Sequence, residues 1–397
     1  MAVTAAVAMP VIVGGFGLGA EVSWWYFNQR KVQSAADMAA YAGAVALRSG
    51  RSSSEILEAA GEAADKSGFV ADRGEVTATA PPTEGAYTGD AAAVEATVEE
   101  DLPRMFTAIF ADGPVQVSGR AVARITEGQQ TCVLALDKQE SGAVTFIGST
   151  SAILIGCNVH SNSLADDSVI VAGDATVQTP CLSASGMVSV TDGLSLDECV
   201  APYEHADQAA DPYEDLPVPD VTQPATTPNV FGGGEGSTYN ITPGRYVGMD
   251  IRRTVNMAPG VYVIDGGTLK VNSTATVSGE GVTFFLTNGA TLDMDGGADV
   301  TLSAPTSGDY SGVLAYVDRD SPYAVHMVNG NSSSTMNGAV YAASGKVLMN
   351  GTSTFGGGCT QIVALQIEFG GNAGLGVDCT GAGVRDIRSS RLVLLVE

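Results

Sequence analysis

The run APGVYVIDGGTLKVNSTATVSGEGVTFFLTNGATLDMDGGADVTLSA, residues 258–304, decides the fold of this chain. It reads as successive strands of three to six residues that are cut by Gly, Asn or Asp, without the apolar spacing of a helix. Short motifs of the same texture recur along the chain and end at residues 152, 177, 277, 300, 336, 355 and 375. Apart from the intervals 177–277 and 300–336, successive motifs end about 20 to 25 residues apart, which predicts a repeating unit of that length.

A parallel β-helix fits this repeat better than other repeat folds. Leucine-rich repeats would need a ladder of leucines, and propeller blades would be about twice as long. In a β-helix, equivalent residues stack on neighbouring turns about 4.8 Å apart, so that inward Val, Ile, Leu and Ala form apolar columns. We therefore expect a mainly β protein with a right-handed parallel β-helix, or solenoid.

The six cysteines test this interpretation independently. Their spacing is close to one turn within each of three sequential pairs, which are Cys132 with Cys157, Cys181 with Cys199, and Cys359 with Cys379. Stacked positions on neighbouring turns lie within the Cα distance that a disulfide needs. We therefore predict these three disulfides in an oxidising compartment, with six buried free thiols as the alternative.

The N-terminal stretch Ala2 to Leu47 differs from the rest of the chain. It is uncharged as far as Ala20, which is long enough for a membrane-spanning helix. A stripe from Val22 to Ala46 then has helical spacing, so that the helix offers a smooth side to a neighbour. The residues predicted to set the membrane position and the packing of this helix are Pro10, Gly15, Gly19, Glu21, Trp24 and Trp25.

An uncleaved anchor fits this stretch better than a signal peptide, because the helical pattern continues past the apolar run. The positive-inside rule opposes the outward orientation, since Arg30 and Lys31 are the nearest basic residues. We expect that a short basic leader preceded Met1.

The chain divides into four segments on these patterns. Residues 1–50 form the membrane and amphipathic helix, and residues 51–127 form a small α+β module with a helix at 55–66, strands near 75–80, 91–99 and 115–125, and a short helix at 101–110. Residues 128–380 form the β-helix, with a proline-rich excursion at 201–240. Residues 381–397 form a C-terminal cap or tail, in which the final apolar strand covers the last turn.

The chain resembles the TadG-like proteins of the tight-adherence (Flp) pilus system. The anchor runs into a Gln-x-Ala-Ala-Asp-x-Ala-Ala signature, here Gln33, Ala36, Asp37 and Ala40 with their neighbours. The later segments CVLAL at Cys132, GCNVHSNS at Cys157 and CTQIVA at Cys359 are similar to the portion that these proteins often carry. The resemblance implies a membrane-tethered, pseudopilin-like protein of the bacterial cell envelope, with most of the chain periplasmic or extracellular.

Composition excludes some partners. With 44 acidic and 19 basic residues the net charge is −25, which repels nucleic acid and anionic lipid. The expected partners are the membrane through the N-terminal helix, pilins or other pilus-assembly proteins, and surface glycans. A homo-oligomer is left open by the sequence.

No residue pattern predicts catalysis or a cofactor. The candidate carboxylates for polysaccharide cleavage are Asp166, Asp167, Asp293, Asp295, Asp299, Asp318 and Asp320. Surface acids on solenoid turns explain all of them, and uronate cleavage would need more basic residues than the adjacent Arg252 and Arg253. The histidines His160, His205 and His326 lack metal spacing and are expected in turns or at the surface. DMDGGAD at 293–299 fails the EF-hand pattern, and structural calcium stays open.

These observations predict a non-enzymatic surface protein that displays a rigid acidic solenoid. The alternative is a carbohydrate-binding or polysaccharide-degrading enzyme on the same fold.

Overall fold

A computed structural model describes residues 2–125, 130–154, 156–329, 331, 334–350, 354–355, 358–375, 379, 381–387 and 393–397, without the side chains of residues 2–12, 354–355 and 373–374. The chain forms two compact units. The first contains residues 1–128 and 391–397, and the second contains residues 129–390. The predicted anchor run begins at Ala2, so its first side chains lie outside the described residues.

The first unit is a small α+β module in which two helices accompany an antiparallel sheet. The sheet has the strand order β1–β2–β3–β30. The elements are α1 (Ala2–Arg48), α2 (Ser53–Lys66), β1 (Gly74–Thr79), β2 (Ala93–Leu102), β3 (Val115–Ile125) and β30 (Val393–Leu395), with 3₁₀ turns at Ala71–Arg73 and Thr107–Ile109. This confirms the predicted long helix, second helix and strands.

Local chemistry sets the ends of these elements. Gly50 has φ +71°, a left-handed conformation that glycine adopts without a steric cost, and it ends the first helix. Ser52 and Glu55 form a capping box at the start of α2, so the cap lies two residues before the predicted Ser54. The predicted helix at 101–110 is wrong, because β2 continues to Leu102 on cross-strand pairs with β3 and leaves only a 3₁₀ turn.

The second unit is a parallel β-solenoid of about ten turns. Its first three turns contain β4 (Thr131–Ala135), β5 (Val144–Phe146), β6 (Ser151–Leu154), β7 (Asn158–Ser161), β8 (Val169–Val171), β9 (Thr176–Thr179), β10 (Leu182–Ala184), β11 (Val188–Val190) and β12 (Leu194–Leu196).

The remaining turns follow after a long connection. They contain β13 (Val230–Phe231), β14 (Thr238–Ile241), β15 (Gly244–Tyr246), β16 (Met249–Ile251), β17 (Thr254–Met257), β18 (Gly260–Asp265), β19 (Thr268–Val271), β20 (Thr276–Gly279), β21 (Val282–Thr287), β22 (Thr291–Met294), β23 (Asp299–Ser303), β24 (Val313–Val317), β25 (Val325–Val328), β26 (Thr335–Met349), β27 (Thr354–Phe355), β28 (Thr360–Phe369) and β29 (Asn372–Leu375).

Equivalent residues stack from turn to turn, as the repeat predicted. Val255, Val277 and Val300 are successive Cα partners, and all three side chains lie in the apolar interior. Phe146 and Phe369 stack at a centroid distance of 4.7 Å. Such columns bury the apolar side of every turn against the next. The direction in which the solenoid coils stays a prediction.

The turns do not stack in chain order. Strand β4 pairs in parallel with β7 of the next turn and also with β28 of the last turn. The first turn therefore lies between the second turn and the last one. Strands β10–β12 lie at one end of the stack, while β13 and β14 begin the other end by pairing with β16 and β17. The chain starts its solenoid in the middle.

Residues 197–229, here called the strap, make the connection that this order requires. The strap leaves the third turn at a bridge between Tyr203 and Ser183 and reaches the far end at a bridge between Ala225 and Arg245. The strap thus runs from one end of the stack to the other and belongs to the second unit. The proline-rich excursion was predicted at 201–240, but its last residues already form β13 and β14.

Three disulfides join the predicted pairs. The Cα distances are 5.4 Å for Cys132–Cys157, 5.3 Å for Cys181–Cys199 and 4.6 Å for Cys359–Cys379. Each closes a loop of 18 to 25 residues, which stabilises a fold by about 3 kcal/mol in the chain-entropy model.

The predicted C-terminal cap of the solenoid is wrong. Strand β30 pairs antiparallel with β3, where Leu395 is the partner of Ala123 and Val393 the partner of Ile125. The apolar end of the chain thus completes the sheet of the first unit, whose β3 edge would otherwise expose unpaired backbone groups.

Candidate functional site

The two halves of α1 differ in burial. The exposed large apolar residues of the first half are Val13, Phe16, Leu18, Val22, Tyr26 and Phe27, and Phe16 is 77% exposed. The buried residues of the second half are Val32, Ala35, Ala36, Ala39, Ala40 and Ala44. The second half packs on β2, β3 and α2, whereas residues 13–20 are exposed except for Gly17.

The signature residues Gln33 to Ala40 form the contact between α1 and the sheet of the first unit, here called the seat. Ala36 and Ala40 are fully buried. The Gln33 amide donates to the carbonyl of Arg120 and to the Asp37 carboxylate, both at 2.9 Å. A neighbour was predicted for this small-residue stripe, and that neighbour is the chain's own sheet. The small side chains of the stripe let the helix approach β3 closely.

Glu21 holds the turn between β2 and β3. Its side chain is fully buried and accepts hydrogen bonds from the Met105 and Thr107 amides, each at 2.7 Å, and from the Thr107 hydroxyl at 2.9 Å. Burial alone would raise the pKa of Glu21, but these hydrogen bonds together outweigh it and lower the pKa. Sequence reasoning missed this partner, because it placed residues 101–110 in a helix.

The other predicted anchor residues lie in different surroundings. Gly15 and Gly19 have open space where a side chain would be. Trp24 and Trp25 are half-buried against the core of the first unit, whereas the adjacent Tyr26 and Phe27 are exposed. Pro10 lies inside α1, and its side chain is outside the described residues.

Membrane spanning is not confirmed by the described part of the chain. No helix among those residues is both long and apolar enough to cross a bilayer.

Four of the seven candidate carboxylates have a hydrogen-bond or ion-pair partner among the described residues. Asp167 accepts from Ser141, Asp293 pairs with Lys270, and Asp299 accepts from Asn331. Asp318 accepts from the Thr287 hydroxyl at 2.7 Å and from the Asp320 amide at 3.1 Å. The carboxylates of Asp166 and Asp295 make no hydrogen bond within the described residues, and Asp295 follows β22 in a backbone turn.

The adjacent basic residues Arg252 and Arg253 also have partners within the solenoid. Arg252 pairs with Asp250, and Arg253 donates to the carbonyl of Gly233 at 3.1 Å. Within the described ranges, no group of three His, Cys, Asp or Glu side chains could hold a metal ion.

Two histidines are buried, which corrects their predicted surface positions. His160 lies under the strap and bonds Ser183 at 2.7 Å and Asn162 at 3.1 Å. His326 is a partner of Val347 and lies on the inward side of β25, where its Nε2 has no hydrogen-bond partner among the described residues. Burial lowers the pKa of each to about 4. His205 is exposed in a turn, as predicted.

These histidines predict a loss of stability in mild acid. Unfolding returns each pKa from about 4 to 6.5, so the unfolded chain binds more protons between these values. The free energy of unfolding should fall as the pH falls through this window, by up to about 3 kcal/mol for each histidine. We expect the His326→Gln variant to lose less stability than the native protein between pH 7 and pH 4.5, measured by urea unfolding of the β-sheet signal. Equal losses would contradict this assignment.

An aromatic and arginine cluster, here called the clasp, fixes the strap to the outer side of the solenoid. Its members are Asp211, Tyr213, Arg319, Tyr341 and Arg385. Tyr213 donates to Gln361, Tyr341 donates to Asp211 at 2.7 Å, and Arg319 donates to the hydroxyl of Tyr341 and the carbonyl of Tyr213. Arg385 stacks over the Tyr213 ring at 5.4 Å and pairs with Asp215.

The clasp had no sequence signal of its own. Its member Tyr341 lies in an outward column of successive turns, in which Phe285, Tyr316 and Tyr341 are Cα partners in series. Aromatic residues at outward positions indicate that something covers them, but they do not identify the covering segment.

The comparisons with known proteins match one end of the chain. Residues 1–46 match the family model described as putative Flp pilus-assembly TadE/G-like, which confirms the resemblance of the anchor and its signature. No curated protein and no solved structure has a significant match to the chain. The matched residues comprise nearly all of α1, including the exposed residues 13–16 and 18–20 and the Gln33–Ala40 seat.

Proposed function

We propose that this chain is a membrane-anchored, pseudopilin-like structural or adhesive protein of a tight-adherence pilus or of the bacterial cell envelope. The observation that carries the proposal is the family match over a helix whose second half packs in a folded unit, while its uncharged residues 13–20 are exposed except for Gly17. In this proposal residues 2–20 lie in the membrane, and the helix leaves it near Glu21.

The second unit suits display on the outside of that membrane. Three disulfides favour an oxidising compartment, so we place the solenoid in the periplasm or beyond it. We take the solenoid as right-handed, the usual handedness of parallel crossover connections. Stacked turns make a rigid rod, and its acidic, Ser/Thr-rich surface is proposed to meet pilins, other assembly proteins or surface glycans.

We propose that the solenoid is not an enzyme. Asp318, one of the two carboxylates that would be tested first, accepts from the Thr287 hydroxyl and from the Asp320 amide. Incubation with pectin, alginate and host glycans should release neither reducing ends nor unsaturated products. Turnover that disappears in the Asp318→Asn variant would establish the alternative, a polysaccharide-degrading enzyme.

Anchoring can be tested by one charge in the apolar run. An arginine near the middle of a membrane-spanning helix costs about 2.5–3.5 kcal/mol on insertion scales. We therefore expect Ile12→Arg to lower the carbonate-resistant membrane fraction at least tenfold in the native host. Ser34→Arg adds the same charge at an exposed position in the second half of α1 and should leave that fraction unchanged.

Fractionation of the same cells into sheared pili and membranes would show where the protein is located. A native protein in sheared pilus fractions would place it in the filament, and one that stays in the membrane would make it an assembly factor. Complete extraction of the native protein by carbonate would contradict the anchor.

A further inference from the structure

The turn between β2 and β3 exposes an unusual amount of apolar surface. Its sequence is PRMFTAIFA, residues 103–111, and it is here called the knuckle. Ile109 is 84% exposed and Phe110 79%, while Met105 and Phe106 are each about half exposed. Such residues are normally scattered singly over a protein surface, so four in one short turn indicate a contact with an apolar environment.

The knuckle is fixed to one level of α1. The amides of Met105 and Thr107 bond the buried Glu21 carboxylate, and the ring of Phe106 lies so close to Gly17 that a Cβ there would be 2.6 Å from it. Arg104 lies over the Trp25 ring at 5.8 Å. The knuckle therefore lies beside residues 17–25 of α1, where the proposed membrane segment ends.

The knuckle itself carries no negative charge. Residues 103–111 contain no Asp or Glu, and Arg104 is their one charged residue, with Asp101 and Asp112 on either side of the turn. An acidic partner protein or a glycan would not need this apolar surface. A lipid bilayer accepts aromatic and aliphatic side chains at its boundary, with an arginine directed to the headgroups.

We propose that the knuckle inserts into the boundary between headgroups and acyl chains of the bilayer that α1 leaves at Glu21. The inference rests on the proposed membrane anchor and adds a second contact to it. One helix alone would leave the first unit free to tilt and rotate on the membrane. The knuckle would hold it at a fixed depth, and the buried Glu21 would keep the knuckle at that level.

The depth of Ile109 can be measured in the full-length protein. All six native cysteines are in disulfides, so an Ile109→Cys variant offers one thiol for an environment-sensitive nitrobenzoxadiazole probe. The position is exposed, so the variant should fold, and the fluorescence of Trp24 and Trp25 checks this. The labelled protein is reconstituted into phosphatidylcholine vesicles with and without lipids that carry a doxyl quencher near the headgroup.

A matched control places the same probe at Glu58, an exposed position on α2. Helix α2 packs beside residues 38–49 of α1, at least about 25 Å further along the helix than Glu21. We expect doxyl lipid to reduce the emission of the Ile109 probe at least twofold and to leave the Glu58 probe unchanged.

The outcomes separate the two proposals. An unquenched Ile109 probe in a protein that resists carbonate extraction would overturn the knuckle contact and leave the anchor intact. Extraction by carbonate would overturn the anchor, and the knuckle contact with it. Disulfide crosslinking between unlabelled Ile109→Cys copies, without quenching of the labelled protein, would also overturn the proposal and assign the surface to a second copy.

Discussion

A Tyr213→Ala variant should lose the attachment of the strap and about 3–5 kcal/mol of solenoid stability, the usual cost of removing a buried aromatic side chain. Tyr213 is fully buried on the outer side of the solenoid. Its ring contacts Tyr341 at 5.4 Å, Arg385 lies over it, and its hydroxyl donates to Gln361. Alanine would remove all three contacts and leave a cavity under the strap.

The effect should be large because the strap is the chain segment that joins the first three turns of the solenoid to the remaining turns. The third turn and the fourth turn lie at opposite ends of the stack, and residues 197–229 connect them. The strap contains six prolines and pairs in few ladders, so its order depends on side chains such as those of the clasp.

Limited proteolysis gives the most direct measurement. Glu214 is exposed next to Tyr213, and a glutamate-specific protease should cleave there at least tenfold faster in Tyr213→Ala than in the native protein. Tyr213→Phe is the matched control, because it keeps the ring and loses only the hydroxyl contacts, worth about 1–2 kcal/mol. Equal cleavage rates in all three proteins would show that the clasp does not hold the strap.

Much of the fold follows from local sequence spacing. A turn of about 20 to 25 residues brings successive cysteines and valines to equivalent positions, so the columns at Val255, Val277 and Val300 and the pair Cys359–Cys379 could be predicted without knowing the rest. The helix seat was also visible in the sequence, as small residues from Ala36 to Ala40. What the spacing could not give was their partner, which lies in β3 about 80 residues later.

The order of the turns could not be predicted for a related reason. The edge of every turn presents the same kind of backbone ladder, so β28 can pair with β4 as well as with a turn that follows it. His160 illustrates the consequence, because it stands in the outward column after Leu134 and is buried only by the returning strap. The burial of an outward side chain depends on that return path, and local patterns do not report it.

A Gly119→Val variant should detach the second half of α1 from its sheet. A Cβ at Gly119 would lie 2.7 Å from the Gln33 Cα and 2.8 Å from the Gln33 nitrogen and the Val32 carbonyl oxygen. All three are backbone atoms, so no side chain can rotate away, and the whole helix must shift. The shift would break the hydrogen bonds from Gln29 to Ser118 and from Gln33 to Arg120. We expect the first unit to lose about 3–5 kcal/mol, from about 1–3 kcal/mol of overpacking and about 1 kcal/mol for each of the two lost bonds.

Tryptophan fluorescence isolates this effect from the solenoid. The chain has two tryptophans, Trp24 and Trp25, and both are half-buried in the first unit, so their emission reports its unfolding in urea. The control is Gly61→Ala, which lies in α2 with nothing within 4 Å of a new Cβ and should stabilise the helix by about 1 kcal/mol. An unchanged urea midpoint in Gly119→Val would contradict this explanation. It would show that the small residues of the signature are not needed for a close approach of the helix to the sheet.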